Sequence, residues 1–445
     1  MPSDRLPLSN SQNDEVKLPQ ELVDKVIGEL HGDTESLKRC SLVAKSWLPA
    51  SSALLLRRVR WPPCGNRGSG CARHSSTHSC TYTLPSKNSF ALCLEILSSS
   101  PRLQSSVREL ACLPPHGLPG RTDETHSTLG LITFVGIVDH LPHLEVVDIG
   151  CVTLRAGSPP SSARTGRALK KLSISNTGDR RWLWEFFPLL SIFARVQHLV
   201  FAMYDHFPSS WSSDPPASKP EVEILECSLI QDHPSTSYSD SFYAGLEHHL
   251  DLQTLRQLTS DTVQPGFARI ISSAPSLESL SLRTGGGRGR PLNFDTIPPR
   301  LSSVDVCGTF PIFQGSVGFP GTNNLWIQIW DTLEPITALP LRSVLVDISV
   351  KFFPLPKDTR RTLYSSYETM LSEITDWHTP VRVLDGFERL ESITFGIRFS
   401  VWKVGSPIYH PLRVHGRHLA AMREAVEKGL PRRYADLVHV RAAES

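Results

Sequence analysis

The sequence has little net charge and no long apolar run. Its 46 basic residues nearly balance its 44 acidic residues, which leaves a net charge of +2 in a chain of 445 residues. This balance gives no electrostatic reason to expect binding to nucleic acid or to an anionic membrane. The longest apolar run, LGLITFVGIV ending at Val138, has about half of the ~20 residues that a membrane-spanning helix needs. The first residues also lack the apolar segment of a secretory signal, so we expect a soluble chain in the cytoplasm, the nucleus or both.

The cysteines favour neither a disulfide framework nor a metal site. The chain has nine cysteines, an odd number that does not favour a disulfide framework. Five metal-capable residues fall in one stretch rich in Gly, Ser and Pro: Cys64, Cys71, His74, His78 and Cys80. Their spacing is not that of a zinc site, and no flanking apolar residues would fold around a metal. The sequence therefore predicts neither a metal nor a cofactor.

Catalytic motifs are absent too. There is no HExxH, no G-x-S-x-G and no paired CxxC in the chain. This favours a binding protein over an enzyme. An enzyme with an unrecognised site in the large domain is the alternative, and a deep pocket lined by titratable groups would support it.

The densest pattern lies near the N-terminus, in LPQELVDKVIGELHGDTESLKRCSLVAKSWLPAS, which begins at Leu18. Pro19 suits the first position of a helix, and apolar residues then recur once per turn as far as Leu30. Asp33 or Thr34 caps a second apolar helix, and Pro49 begins a third that runs through ASSALLLRRV. Three short helices cannot cover apolar stripes this wide by themselves, so the pattern predicts a partner.

This stretch resembles the F-box motif over roughly residues 16 to 61. The resemblance implies docking onto a Skp-type adaptor and, through it, onto the cullin and RING subunits of a ubiquitin ligase. It assigns the following residues to the adaptor interface: Leu18, Pro19, Leu22, Val26, Ile27, Leu30, Leu37, Cys40, Leu42, Val43 and Trp47. The alternative is an ordinary three-helix bundle packed onto the rest of the chain.

A second pattern repeats along the remainder of the sequence. It consists of an apolar residue, two variable residues, an apolar residue, one variable residue and a third apolar residue. The copies are VRELAC, LEVVDI, LKKLSI, VQHLVF, VEILEC, LESLSL, LSSVDV, LRSVLV and LESITF, with a weaker copy at Leu255 and Leu258. Val147 and Leu172 are 25 residues apart, and Leu172 and Leu199 are 27 apart, which is the range of leucine-rich repeats.

Segments with helical patterns lie between these copies, and each ends near a proline. They include NSFALCLEILSSSP, GLITFVGIVDHLP, WLWEFFPLLSIF and GFARIISSAP. The sequence therefore predicts an α/β protein, in which a three-helix F-box precedes an irregular leucine-rich-repeat-like solenoid of parallel strands backed by helices. The arrangement is similar to that of the large fungal F-box families. An ordinary α/β domain whose strands share the pattern is the alternative.

The expected domains are a disordered N-terminus at 1–15, the F-box at 16–61, a linker at 62–85 and a substrate-recognition domain at 86–445. The resemblance implies the substrate-receptor subunit of a Skp–cullin–F-box ubiquitin ligase, which binds an unidentified protein substrate. A recognition scaffold that takes no part in ubiquitin transfer is the main alternative.

Substrate binding is expected on the strand residues that alternate with the buried apolar ones. These residues are Asp148, Lys171, Ser173, His198, Glu226, Ser281, Asp305 and Asp347. Their acidic members favour a mildly basic ligand. Recognition by the loops or by the C-terminal helix HGRHLAAMREAVEKGL is the alternative.

Overall fold

The computed structural model describes residues 19–31, 33–61, 89–112, 128–150, 152–155, 166–176, 186–204, 218–230, 236–260, 265–284, 298–312, 322–334, 337, 341–352, 367–402 and 409–443. The chain is a mixed α/β protein with one large, mostly parallel sheet and a layer of helices. Leu18, the N-terminus at 1–15 and the expected linker at 62–85 lie outside the described residues. Each helix within the described residues is too short or too polar to span a lipid bilayer.

Three helices form the N-terminal unit: α1 (Gln20–Glu29), α2 (Thr34–Val43) and α3 (Leu48–Leu55). Asp33 caps α2, since its carboxylate accepts a hydrogen bond from the Ser36 backbone N–H at 3.0 Å. Val23, Ile27 and Leu37 form the small buried core. The third helix was expected to continue through Val59, but Arg58 and Val59 belong instead to the first strand of the large sheet.

Among the described residues, thirteen strands make up the large sheet. They are β1 (Arg58–Trp61), β2 (Glu109–Cys112), β4 (Val146–Gly150), β6 (Arg167–Asn176), β7 (Phe193–Tyr204), β8 (Glu221–Ile230), β9 (Gln257–Ser260), β10 (Ser279–Thr284), β11 (Ser303–Ile312), β12 (Ser343–Phe352), β13 (Ser392–Trp402), β14 (Tyr409–Leu412) and β15 (Val438–Ala442). Two further strands, β3 (Thr128–Gly130) and β5 (Thr153–Arg155), form a small parallel sheet of their own. From β1 to β13 the strands lie in chain order and run parallel.

Helices connect many of these strands. They are α4 (Ser89–Ser99), α5 (Pro101–Ser106), α6 (Leu131–Asp139), α7 (Phe186–Leu190), α8 (Thr236–His249), α9 (Pro265–Ser272), α10 (Thr322–Leu333), α11 (residues 367–372), α12 (His378–Asp385) and α13 (Gly416–Gly429). The helices expected from NSFALCLEILSSSP, GLITFVGIVDHLP and GFARIISSAP are confirmed as α4, α6 and α9. The segment WLWEFFPLLSIF is helical only over Phe186–Leu190 among its described residues, because Phe193 already begins β7.

Every predicted copy of the repeat overlaps a strand of the large sheet, and these strands run parallel, so the prediction of parallel strands is confirmed. The middle apolar residues of the copies are register partners across the sheet: Leu110, Val147, Leu172, Leu199, Leu225, Leu258, Leu280, Val304, Val344 and Ile393. All are buried in one continuous core with apolar residues of the helices. Aromatic rings also pack between the sheet and the helices: the ring centroids of Phe201 in β7 and Phe242 in α8 are 5.4 Å apart.

One glycine shows how closely a helix approaches the sheet. A Cβ at Gly308 of β11 would lie 2.3 Å from Cδ1 of Ile329 in α10. Glycine therefore lets α10 pack directly on the strand. At the far end of the sheet, β13 pairs with the antiparallel β14 and with the parallel β15, which the repeat pattern does not predict.

Candidate functional site

The apolar residues assigned to the adaptor interface divide into two groups. Ile27 and Leu37 are buried, because with Val23 they form the core of the three-helix unit, so they do not present an adaptor-facing surface. Four others are strongly exposed: Leu22 at 51%, Val26 at 54%, Leu42 at 86% and Val43 at 66%. We call these four the exposed apolar set.

The other described members of that assignment are half-buried or exposed. Leu30, Cys40 and Trp47 are half-buried, and Leu30 and Trp47 pack against the small core. Pro19 is exposed at the start of α1. Leu48 was not singled out in the sequence, yet it is exposed as well. Its position directly after Trp47 carries no information about its exposure, so no sequence signal indicated it.

All eight residues expected to bind substrate lie on one side of the large sheet. We call this side the polar face; it carries the strand residues that alternate with the apolar core positions. Lys171 and His198 are register partners on β6 and β7. Asp148 and Ser173 are register partners on β4 and β6, and Ser281 and Asp305 are partners on β10 and β11.

Side-chain pairs on the polar face connect neighbouring strands. His198 Nε2 lies 2.8 Å from Glu226 Oε1, where the imidazole and the carboxylate are both half-buried. Ser281 donates its hydroxyl to Asp305 Oδ2 over 3.4 Å. These contacts leave the polar face suited to non-covalent recognition by hydrogen bonds and charge.

The most structured part of the polar face surrounds Asp347 on β12. Only 5% of this residue is exposed, although the sequence placed it on an open surface. Arg398 of β13 donates from Nη2 to Asp347 Oδ2 over 3.2 Å. Gly396 is the register partner of Asp347, and a Cβ at Gly396 would lie 1.7 Å from Asp347 Oδ1. The aspartate therefore occupies the space that any other residue at position 396 would fill.

Burial perturbs the acid groups in this cluster. It raises the pKa of Asp305 to about 6, with the nearby Asp347 charge acting in the same direction. Burial also raises the pKa of Asp347, while the guanidinium groups of Arg398 and Arg441 act in the opposite direction. The neighbouring Cys307 thiol has its pKa raised to about 12, again mainly by burial. Because a thiol in this state holds its proton, Cys307 is not an activated nucleophile.

Three buried polar atoms of this cluster have no hydrogen-bond partner in the described part of the chain. They are Asp305 Oδ1, Asp347 Oδ1 and Arg398 Nε. An unsatisfied buried polar group costs about 1–3 kcal/mol, so the cluster retains unused capacity for hydrogen bonds. Arg398 and Gly396 were not predicted as site residues. The alternation of LESITF, continued past Thr394, places both of them on the polar face.

Within the described ranges, no group of three or more His, Cys, Asp or Glu side chains is arranged to hold a metal ion. The five metal-capable residues between Cys64 and Cys80 lie outside those ranges. No family model matches the sequence, and a search of curated proteins finds no significant match.

Proposed function

We propose that this chain is the substrate-receptor subunit of a Skp–cullin–F-box ubiquitin ligase. In this proposal the N-terminal helices dock onto a Skp-type adaptor, which links the chain to the cullin and RING subunits. The large sheet and its helices bind a protein substrate. The complex would operate in the cytoplasm, the nucleus or both.

The proposal rests on the exposed apolar set, whose four apolar side chains are each more than half exposed. Leu22 and Val26 are one turn apart on α1, and Leu42 and Val43 are adjacent at the end of α2. The unit already has its own core in Val23, Ile27 and Leu37, so the four exposed side chains are surplus to its internal packing. Exposed apolar side chains that lie next to each other, as in each of these pairs, support a surface that another protein covers.

Two separate apolar clusters support the division into a docking part and a binding part. The small core is confined to the three helices, whereas a second, continuous core extends along the large sheet and its helices. Each part thus has apolar packing of its own. This organisation suits a protein that holds two different partners at once.

In this role the chain supplies proximity and carries out no covalent step. Ubiquitin would be transferred by a conjugating enzyme that the RING subunit recruits. Holding the substrate beside that enzyme raises the effective concentration of substrate lysines, which makes the encounter effectively intramolecular. A catalytic centre in the chain itself is not required.

Co-purification with a Skp-type adaptor tests the proposal. We expect the full chain to form a stable complex with the adaptor and to recruit cullin and RING subunits when these are added. As a control, a chain that begins at residue 57 lacks the three helices but keeps β1, and we expect it to lose the adaptor. Failure of the full chain to bind the adaptor would contradict the proposal. Adaptor binding without recruitment of cullin would indicate the scaffold alternative.

A further inference from the structure

The polar face carries an excess of positive charge on the last strands of the sheet along the chain. Across β10, β11, β12, β13 and β15 its basic side chains are Arg283, Lys351, Arg398 and Arg441. Its acidic side chains in the same strands are Asp305 and Asp347. The sequence alone favours a basic ligand because it shows the acidic residues Asp148, Glu226, Asp305 and Asp347 but not how deeply each of them lies.

Acidic and basic groups differ in depth at this end of the face. Asp347 is almost fully buried and Asp305 is half-buried, whereas Arg283 and Arg441 are exposed. The Arg398 side chain is 35% exposed and keeps a buried Nε without a hydrogen-bond partner in the described part of the chain. A partner that approaches this surface therefore meets guanidinium groups first.

The register places two of the arginines at the ends of one row. In order across the strands, the row reads Arg283, Cys307, Asp347, Gly396 and Arg441. Adjacent parallel strands are about 4.8 Å apart, so the two arginine Cα atoms are about 19 Å apart. The residues next to each arginine are small, namely Cys307 and Gly396. About six residues of extended chain span this distance.

We infer that this row, with Arg398 beside it, is a docking surface for an acidic segment of a protein substrate. Carboxylates of the segment pair with Arg283 and Arg441, because guanidinium and carboxylate groups form strong, charge-assisted hydrogen bonds. The two aspartates beneath keep the local net charge small, which disfavours a nucleic acid because its binding depends on many phosphate contacts. This inference rests on the proposed function, since it names the class of substrate.

Selection of short random peptides on the purified full chain tests the inference. We expect peptides selected on the wild type to be enriched in Asp and Glu. A selected peptide, synthesised and measured by fluorescence anisotropy, should bind the R283E/R441E variant about tenfold or more weakly. The R423E/R432E variant makes the same change in charge at two exposed arginines that are not part of the row, one in α13 and one in the turn after it, and it should retain the wild-type affinity. Circular dichroism of each variant checks its fold.

Three outcomes would overturn the inference. Selected peptides could be neutral or basic, or the R423E/R432E control could weaken binding as much as R283E/R441E. A single-stranded oligodeoxynucleotide could also bind more tightly than the peptides, with the same dependence on Arg283 and Arg441, which would assign the surface to nucleic acid.

Adaptor binding, measured on the same preparations, separates this inference from the proposed function. If peptides selected on the wild type are not enriched in Asp and Glu although the wild type binds the adaptor, only the docking surface is refuted. A wild-type chain that selects acidic peptides but does not bind the adaptor refutes the proposed function and leaves the docking surface in place.

Discussion

Truncating the Leu42 and Val43 side chains to alanine should weaken adaptor binding without unfolding the chain. Both side chains lie at the end of α2 with 86% and 66% of their surfaces exposed. Full burial of a Val or Leu side chain is worth about 1.5–3 kcal/mol, and these residues have most of that surface left to bury against a partner. Alanine retains the Cβ, so the double substitution should cost about 2–3 kcal/mol of binding free energy. This loss corresponds to a dissociation constant about 30- to 150-fold higher.

Isothermal titration calorimetry with a purified Skp-type adaptor measures this loss directly. Thermal unfolding of the L42A/V43A variant should match that of the wild type, since neither side chain contributes to the small core. Ile27→Ala provides the contrasting control, because Ile27 is fully buried and its truncation should cost about 2–5 kcal/mol of stability in the three-helix unit. Wild-type affinity in the folded L42A/V43A variant would refute this assignment of the adaptor surface.

Four further substitutions test the packing and the titration of the large sheet and its helices. Burial raises the pKa of Asp305 to about 6, so ionisation of this carboxyl destabilises the fold, and the free energy of unfolding falls as the pH rises towards 6. In chemical denaturation, Asp305→Asn should therefore raise the free energy of unfolding by about 1–2 kcal/mol at neutral pH and change it little near pH 4. Burial lowers the pKa of His249 to about 4, so the neutral imidazole stabilises the fold above about pH 6.5, and this stabilisation is lost as the pH falls from about 6.5 to about 4. Denaturation curves of His249→Gln over this range should show a smaller fall in the free energy of unfolding than those of the wild type. Gly396→Ala should cost about 2 kcal/mol or more, because its Cβ meets Asp347 Oδ1, and addition of Asp347→Ala should restore part of that stability. An unchanged pH profile in either titration variant, or additive effects of the last pair, would contradict these assignments.

The regular part of the fold could be predicted from local patterns. A strand buried on one face repeats its side-chain direction every two residues, so copies such as LKKLSI and VQHLVF indicate both the strand and its apolar face. The same alternation predicted that Asp148, Ser173 and Asp305 would share a face, and they do. Turns and capping residues made α2, α4, α6 and α9 predictable for similar local reasons.

Local patterns were enough to predict the strands, their apolar side and the presence of surplus apolar residues near the N-terminus. Which of those residues are surplus depends on packing, because Val26 and Ile27 are neighbours of similar hydrophobicity and their exposure depends on where the other two helices pack. The depth of Asp347 was likewise decided by the tertiary structure. Asp347 packs against Gly396 and Arg398 on the next strand, about fifty residues further along the chain. A local sequence pattern carries no information about a contact between residues so far apart in the chain.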